Sequence, residues 1–347
     1  MSGAVEPVSV AVVGAGYWGK NYVRNLAHLP GANLRWVCDR DPQALARCAR
    51  LAPGARLTAE LDEVLADATV QAIVVATPAP VHAAPTIAAL RAGKHVLVEK
   101  PMATTTSDAA AMVAAADAAG RTLMVGHLML YHPAVERLQR MVRAGELGRI
   151  YYMYALRVNL GQVRRDENAL WSFAPHDLSI IQCLLEQQPE TVAARGHAYL
   201  QPGVEDVVFL NLDYPDQTMA QIQLSWLDPH KERRLTVVGS RKMVIFDDTH
   251  ANEKLRVYDK GFDRPPDYES FGEFLALRDG DVHIPSVALN EPLAAECLHF
   301  LHCVRTGTPP RTSARDGLAV VKVLDAAARS LLAGGAPMRI AAAEPAS

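Results

Sequence analysis

The sequence predicts two domains: a doubly wound α/β domain on a parallel sheet, then an α+β domain on a large, mostly antiparallel sheet. Three observations carry this. The first 125 residues alternate strand-like apolar runs with segments of helical spacing. The first strand ends in glycines that open a helix. From residue 191 to 247, strand follows strand with no helix between. With 347 residues, 50% hydrophobic and 21% charged, the chain is long enough for two cores. The expected boundaries are 1–125 and 126–338, with a disordered tail over 339–347.

The elements follow in order. Residues 8–13 form a strand running into glycine, and 17–29 have helical spacing. Strand 34–38 and helix 42–50 come next, with a short strand allowed at 56–58. Strand 71–76 leads to helix 83–91, which stops at Gly93, and then to strand 96–98. Ser107 is read as the cap of a helix through residue 119 that closes at Gly120, before strand 122–125. Beyond Gly126 come helix 133–143, a turn at 145–148, a long strand at 150–159 and helix 174–185. Strands are expected at 191–198, 207–213, 219–227, 234–239 and 243–247, with a hairpin turn at 239–241. Residues 259–286 hold Pro265-Pro266, scattered charge and little periodicity, and are read as a loop. Two helices, 293–306 and 315–332, close the chain.

Composition excludes several classes of function. A net charge of −3, from 35 basic and 38 acidic residues, gives no bias toward nucleic acid or anionic membrane. The apolar runs are strand-length, so no membrane span is expected. The N-terminus lacks a basic segment before an apolar core, so no signal peptide is expected. Five scattered cysteines without a CxxC pair point to reduced thiols in a cytoplasm. The twelve histidines form no ligand cluster with cysteines or carboxylates, so no metal is expected.

Chemistry begins at Gly14-Ala15-Gly16-Tyr17-Trp18-Gly19. Glycines there allow a tight turn, close approach of backbone to a pyrophosphate, and close helix–strand contact. The helix start supplies the anion site. Asp39 closes the second strand, where a carboxylate accepts hydrogen bonds from ribose hydroxyls and repels a 2′-phosphate. NAD is therefore preferred over NADP, although the adjacent Arg40 could stack on adenine or admit a phosphate. Strand ends in such sheets line the ligand crevice, so Thr77, Pro78 and His82 are expected to border the nicotinamide half. His82 reads as a helix-start residue rather than a catalyst. Glu99-Lys100-Pro101 ends the next strand. It is either a solvated ion pair or a device that aims Lys100 at a ribose hydroxyl and a substrate oxygen, stabilising a developing alkoxide.

GxGxxG, then ATPxxxH at 76–82 and EKP at 99–101, in this order resemble the Gfo/Idh/MocA oxidoreductases, which are NAD(P)-dependent dehydrogenases of sugars, nucleotide sugars and inositols. The resemblance covers nearly the whole chain. It extends through GHLMLYHPAV (126–135), GELGRIYY (145–152), RVNLGQVRRDENALWSFAPHDLSII (157–181), FDDT (246–249) and the DG at 316–317. The stretch 159–177 looks like the subgroup that oxidises C3 of UDP-N-acetylglucosamine or its uronic acid during surface-polysaccharide assembly. The resemblance implies a Rossmann domain followed by an open-faced sheet that supports homodimers or homotetramers. It also implies that Lys100 and His176 carry catalysis. Related dehydrogenases place an aspartate four residues before the histidine; here that position is Ser172.

On this reading His176 takes the proton of the sugar hydroxyl, Lys100 orients and stabilises its oxygen, and hydride passes to nicotinamide. His127 and Tyr131, after the last strand of the first domain, are expected to face the crevice. Arg157 and Asn159 alternate on one strand face. Arg164, Arg165 and Asn168 precede the His176 helix, where an arginine could grip a diphosphate or uronate, or form only a surface ion pair. Asp177 joins the expected substrate residues, and Trp171 either walls the nicotinamide or belongs to the core. Two alternatives stay open: a dehydrogenase or ketoreductase of another sugar, sugar phosphate or inositol, and a non-catalytic NAD-binding regulator.

Overall fold

Strand and helix alternate from the N-terminus: β1 (Val8–Val13), α1 (Gly19–His28), β2 (Ala32–Cys38), α2 (Pro42–Leu51), β3 (Arg56–Thr58), α3 (Leu61–Ala66), β4 (Ala72–Val75), α4 (Ala83–Arg91), β5 (His95–Glu99), α5 (Thr106–Ala119) and β6 (Leu123–Gly126). There follow α6 (Pro133–Arg143), β7 (Ile150–Val158), α7 (Ala169–Leu185), β8 (Thr191–His197), β9 (Val207–Asp213), β10 (Met219–Ser225), β11 (Glu232–Gly239), β12 (Met243–Asp247), β13 (Leu255–Asp263) and β14 (Ala276–His283). The chain closes with α8 (Pro292–Thr306), α9 (Ala314–Leu332) and β15 (Met338–Arg339). The computed structural model describes residues 6–161, 163–164, 167–263, 276–288 and 290–341. Two units divide the chain: Met1–Tyr131 with Asn290–Lys322, and His132–Leu289 with Val323–Ser347.

In the first unit six parallel strands lie in the order β3-β2-β1-β4-β5-β6. Their apolar runs are continuous because both faces are covered. Ala11, Val13, Ile73, Val75, Val96 and Val98 pack on one side with Leu90 of α4 and Met112 of α5. Val10, Val12, Val74 and Leu97 pack on the other with Tyr22 and Leu26 of α1, and with Cys297, Phe300 and Leu301 of α8. Residues 290–322 thus return to the first unit, whereas the sequence placed them in the second domain. Gly317 lets α9 approach closely, since a Cβ there would stand 2.5 Å from Val125 and 2.9 Å from the sulfur of Met102.

Among the described residues of the second unit, nine strands form one sheet, β14-β13-β12-β11-β7-β10-β9-β8-β15. Among the described residues β7 and β10 pair parallel, and the other pairs are antiparallel. Helix α7 packs against β7, β9 and β10. The strands facing it alternate: Val208, Leu210, Leu212, Ala220, Ile222 and Leu224 are buried, while Phe209 and Met219 are exposed on the opposite face.

Several expectations shift. Residues 259–286 are not simply a loop: β13 and β14 pair antiparallel and extend the sheet from β12. Cross-strand partners, not local periodicity, make those strands; residues 264–275 lie outside the described set. Helix α7 starts at Ala169 rather than 174, because the Asn168 side chain accepts from Trp171 N at 3.2 Å and caps it, leaving Pro175 inside the helix. Helix α5 is capped by Thr105, whose Oγ1 accepts from Asp108 N at 3.0 Å, not by Ser107. Helix α3 was not anticipated. Arg339, assigned to the tail, pairs in β15 with Thr191; residues 342–347 lie outside the described set.

Candidate active site

The glycine loop follows β1. Gly14 has φ +92°, and a Cβ there would stand 2.6 Å from Ala76 C and Thr77 N. A Cβ on Gly19 would stand 1.9 Å from Gly14 O, so helix and loop touch through bare backbone. Gly16 differs, because a Cβ there meets nothing within 4 Å. Its backbone is bared to open space. Helix α1 has no side-chain cap at Trp18, which leaves its positive end to a ligand anion. Asp39 ties the loop to the end of β2: Ala15 N donates to its Oδ2 at 2.6 Å and Asp41 N to its Oδ1 at 2.8 Å. The carboxylate keeps lone pairs for ribose hydroxyls, and Arg40 beside it is exposed. Tyr17 is also exposed, with the Lys20 ammonium over its ring. Backbone, helix end and carboxylate together fit a dinucleotide.

The ends of β4, β5 and β6 carry the next group. His82 is buried, with Nδ1 2.9 Å from Pro101 O and Nε2 2.7 Å from Thr77 O. It braces the turn after β4 against the turn after β5, and burial holds its pKa down. Pro78 is exposed beside it. Glu99 is buried, and its carboxylate accepts from Trp18 Nε1, from Tyr22 Oη at 2.7 Å and from Lys100 N at 2.9 Å. Lys100 follows as a half-buried residue. His127, at the end of β6, is 1% exposed, and neither ring nitrogen finds a hydrogen-bond partner among the described residues. Burial, and then the Lys100 charge, push its pKa down to about 3, so the ring is neutral. Thr77 Oγ1 is likewise buried without a partner among the described residues. Tyr131 turns inward: its hydroxyl meets Thr312 Oγ1 at 3.2 Å and its ring lies under the Arg311 guanidinium.

In the second unit, Arg157 and Asp177 are given to each other. The guanidinium donates to both carboxylate oxygens, at 2.6 and 2.9 Å, and both side chains are buried. His176, the preceding residue on α7, is half-buried, and its carbonyl accepts from Ser179 Oγ at 2.8 Å. Ser172 is buried on the same helix. Asn168 caps α7 and donates to Glu205 at 2.6 Å, and Trp171 sits half-buried in the first turn. Arg164 pairs with Glu167 at 2.6 Å. Asn159 Oδ1 is buried without a partner among the described residues. Arg165 lies outside the described set. In the first unit, the structure thus brings Trp18, Thr77, His82, Glu99, Lys100 and His127 to one end of the sheet. It adds two residues that motif reading missed, Tyr22 and Glu296, which are joined to Glu99.

Residues 8–127 match the family model for the Gfo/Idh/MocA oxidoreductase NAD-binding Rossmann fold, and residues 135–245 match the C-terminal domain of the same family. A crystal structure from Magnetospirillum magnetotacticum MS-1, assigned as an oxidoreductase, is 33% identical, with a TM-score of 0.79 over 92% of this chain and 99% of its own. The chain belongs to the Gfo/Idh/MocA oxidoreductase family. Inositol 2-dehydrogenase 2 of Paenarthrobacter aurescens is 31% identical to this oxidoreductase over 63% of this chain and 68% of its own. GenD2 from gentamicin A biosynthesis, solved in complex with NAD, is 27% identical, with a TM-score of 0.82 over 98% of each chain. This member is an NAD-dependent oxidoreductase acting on a CH–OH group. Among the described residues no helix is long and apolar enough to cross a membrane, and no group of three or more His, Cys, Asp or Glu is placed to hold a metal ion.

Proposed function

We propose that this oxidoreductase oxidises a ring hydroxyl, at C3, of a UDP-N-acetyl-hexose or its uronic acid. The observation that carries a polyhydroxylated substrate is a pair of buried groups at the strand ends with no partner among the described residues, Thr77 Oγ1 and the His127 ring. Buried polar atoms are costly unless something bonds them, and a ligand rich in hydroxyls supplies both donors and acceptors. The nucleotide-sugar preference rests on the resemblance of residues 159–177. Within that stretch Arg164 is exposed enough to reach an anionic substrate group.

Bound NAD supplies the hydride acceptor. Lys100 donates to the reacting oxygen and stabilises negative charge on it. His176 takes the hydroxyl proton, the general-base role that an imidazole nitrogen can fill. Arg157 and Asp177 act on α7 rather than on substrate. The exposed face of the second sheet, with Phe209 and Met219, is the surface we assign to a homodimer or homotetramer, and the reduced thiols suit a cytoplasm.

Single-turnover NADH formation tests the reading. Enzyme and NAD are mixed in parallel with UDP-N-acetylglucosamine, its uronic acid, glucose 6-phosphate and myo-inositol, with and without 2-oxoglutarate. NADH forms with a UDP-sugar, and the rate falls by roughly 10²–10⁴ in His176→Ala and is abolished in Lys100→Ala. A second reading, oxidation of a free polyol, is favoured by the inositol 2-dehydrogenase likeness; signal with myo-inositol alone would replace the first reading with it. Silence from all four substrates with tight NAD binding would sink the UDP-sugar reading and leave another substrate or the regulator.

A further inference from the structure

Two carboxyl groups and one phenol meet in the interior of the first unit. The Tyr22 hydroxyl on α1 lies 2.7 Å from Glu99 Oε1 on β5 and 3.1 Å from Glu296 Oε2 on α8. Tyr22 and Glu296 are 0% exposed and Glu99 is 5% exposed, so water does not screen them. One hydroxyl has one proton and cannot donate to both carboxylates. Two bare anions across one phenol, away from solvent, would also repel. The cluster must therefore hold one more proton.

The partners decide where it sits. Glu99 receives three donors: Trp18 Nε1, Tyr22 Oη and Lys100 N. The positive charge of Lys100 also acts on it. Glu296 Oε2 has Tyr22, and Glu296 Oε1 has no partner among the described residues. Among the described residues, the other titratable groups that feel Glu296 are Glu99 from β5, Tyr131 from the turn after β6 and Cys297 beside it, and none is a cation. Burial raises both carboxyls; Lys100 opposes this on Glu99, whereas the Glu99 charge reinforces it on Glu296. Charge therefore settles on Glu99 and the proton on Glu296.

We propose that Glu296 is a neutral carboxylic acid that donates to the Tyr22 hydroxyl, and that the chain Glu296–Tyr22–Glu99 positions the glycine loop and Lys100 together. Glu99 is the hub, holding the Trp18 indole of the NAD-binding loop on one side and the Lys100 backbone on the other. Glu296 keeps the only Tyr22 proton committed to that hub. It touches neither cofactor nor substrate and is a positioning residue. The consequence for turnover rests on the proposed role of Lys100, while the protonation state and the NAD linkage do not.

Infrared difference spectroscopy near neutral pH tests the protonation directly. Wild type shows the carbonyl stretch of a protonated buried carboxylic acid, and Glu296→Gln lacks it; absence of the band from wild type overturns the proposal. NAD titrations, which need no substrate, test the positioning. Glu296→Gln, which still donates to Tyr22, binds NAD within about threefold of wild type. Tyr22→Phe, which strips a hydrogen bond from an ionised carboxylate, weakens NAD binding roughly tenfold or more. A Glu296→Gln loss equal to that of Tyr22→Phe would mean that an ionised Glu296 is required, and an undiminished Tyr22→Phe would remove the link to the loop. A UDP-sugar failure with these binding results intact would count against the substrate and not against this chain.

Discussion

Asp177→Ala removes the carboxylate that holds the Arg157 guanidinium in the interior of the second unit. The pair is bidentate, at 2.6 and 2.9 Å, with side chains 7% and 4% exposed. Removing one partner of such a pair strands a buried charge and costs about 3–5 kcal/mol. Asp248 also acts on Arg157, which favours the lower end of that range. At ~2–4 °C per kcal/mol for a unit of this size, the melting temperature falls by roughly 6–20 °C. Differential scanning calorimetry of the NAD-free enzyme reads this directly. The double variant Arg157→Met, Asp177→Leu recovers most of the loss, because well-packed apolar groups replace buried pairs at little cost. A single-variant loss below about 1 kcal/mol would refute the reasoning, since an exposed or optional ion pair is worth no more than that. The same experiment separates brace from grip. An arginine reserved for substrate would leave stability unchanged when its carboxylate neighbour is removed, and would raise KM when itself replaced.

Two further outcomes follow from the first unit. Gly19→Ala drives a methyl into Gly14 O, 1.9 Å away, and weakens NAD binding by at least ~tenfold in isothermal titration; an unchanged Kd would show that the loop yields freely. Folding stability falls as pH drops from 6.5 toward 3, because unfolded His127 takes up a proton that the buried ring, with its pKa pushed down to about 3, refuses. That contribution is complete above pH 6.5. His127→Asn flattens the slope of denaturant midpoint against pH over this window, and an unaltered slope would place the ring in water.

Much of the fold was legible because its signals are local. Strands β1 and β4 are short apolar runs rich in β-branched residues, and β5 is a short apolar run between the Gly93 turn and Pro101. Helix α5 could be read from its closing Gly120, which is left-handed at φ +57°. Strands β13 and β14 were not legible. The segment carries Lys260, Asp279 and Asp281 on a hairpin whose ladder, rather than its apolar content, holds it to β12. The return of residues 290–322 to the first unit is equally silent in local pattern, because it depends on which surface the apolar side of α8 finds.

The candidate site divides along the same line. Gly14, Gly16 and Gly19 stand out because one motif gathers them just after β1, and Lys100 because the EKP motif ends β5. Arg157 and Asp177 were each found as polar residues in a suspicious stretch, but their pairing spans 20 positions, and spacing alone could not show that they satisfy one another. Tyr22 and Glu296 are 274 positions apart, and neither stands in a motif. One signal was nevertheless present. Glu296 sits in PLAAECLHFL among Leu293, Cys297, Phe300 and Leu301, all buried, so its carboxyl lies on the apolar side of an amphipathic helix. A carboxylate there must be neutral or paired. Tyrosine is the usual apolar body with a polar tip to meet such a group, and α1 offers one at Tyr22, on the helix that the glycine loop opens. A carboxyl group on the apolar face of a helix marks a partner that sequence distance conceals, and here that partner leads back through Glu99 to Lys100.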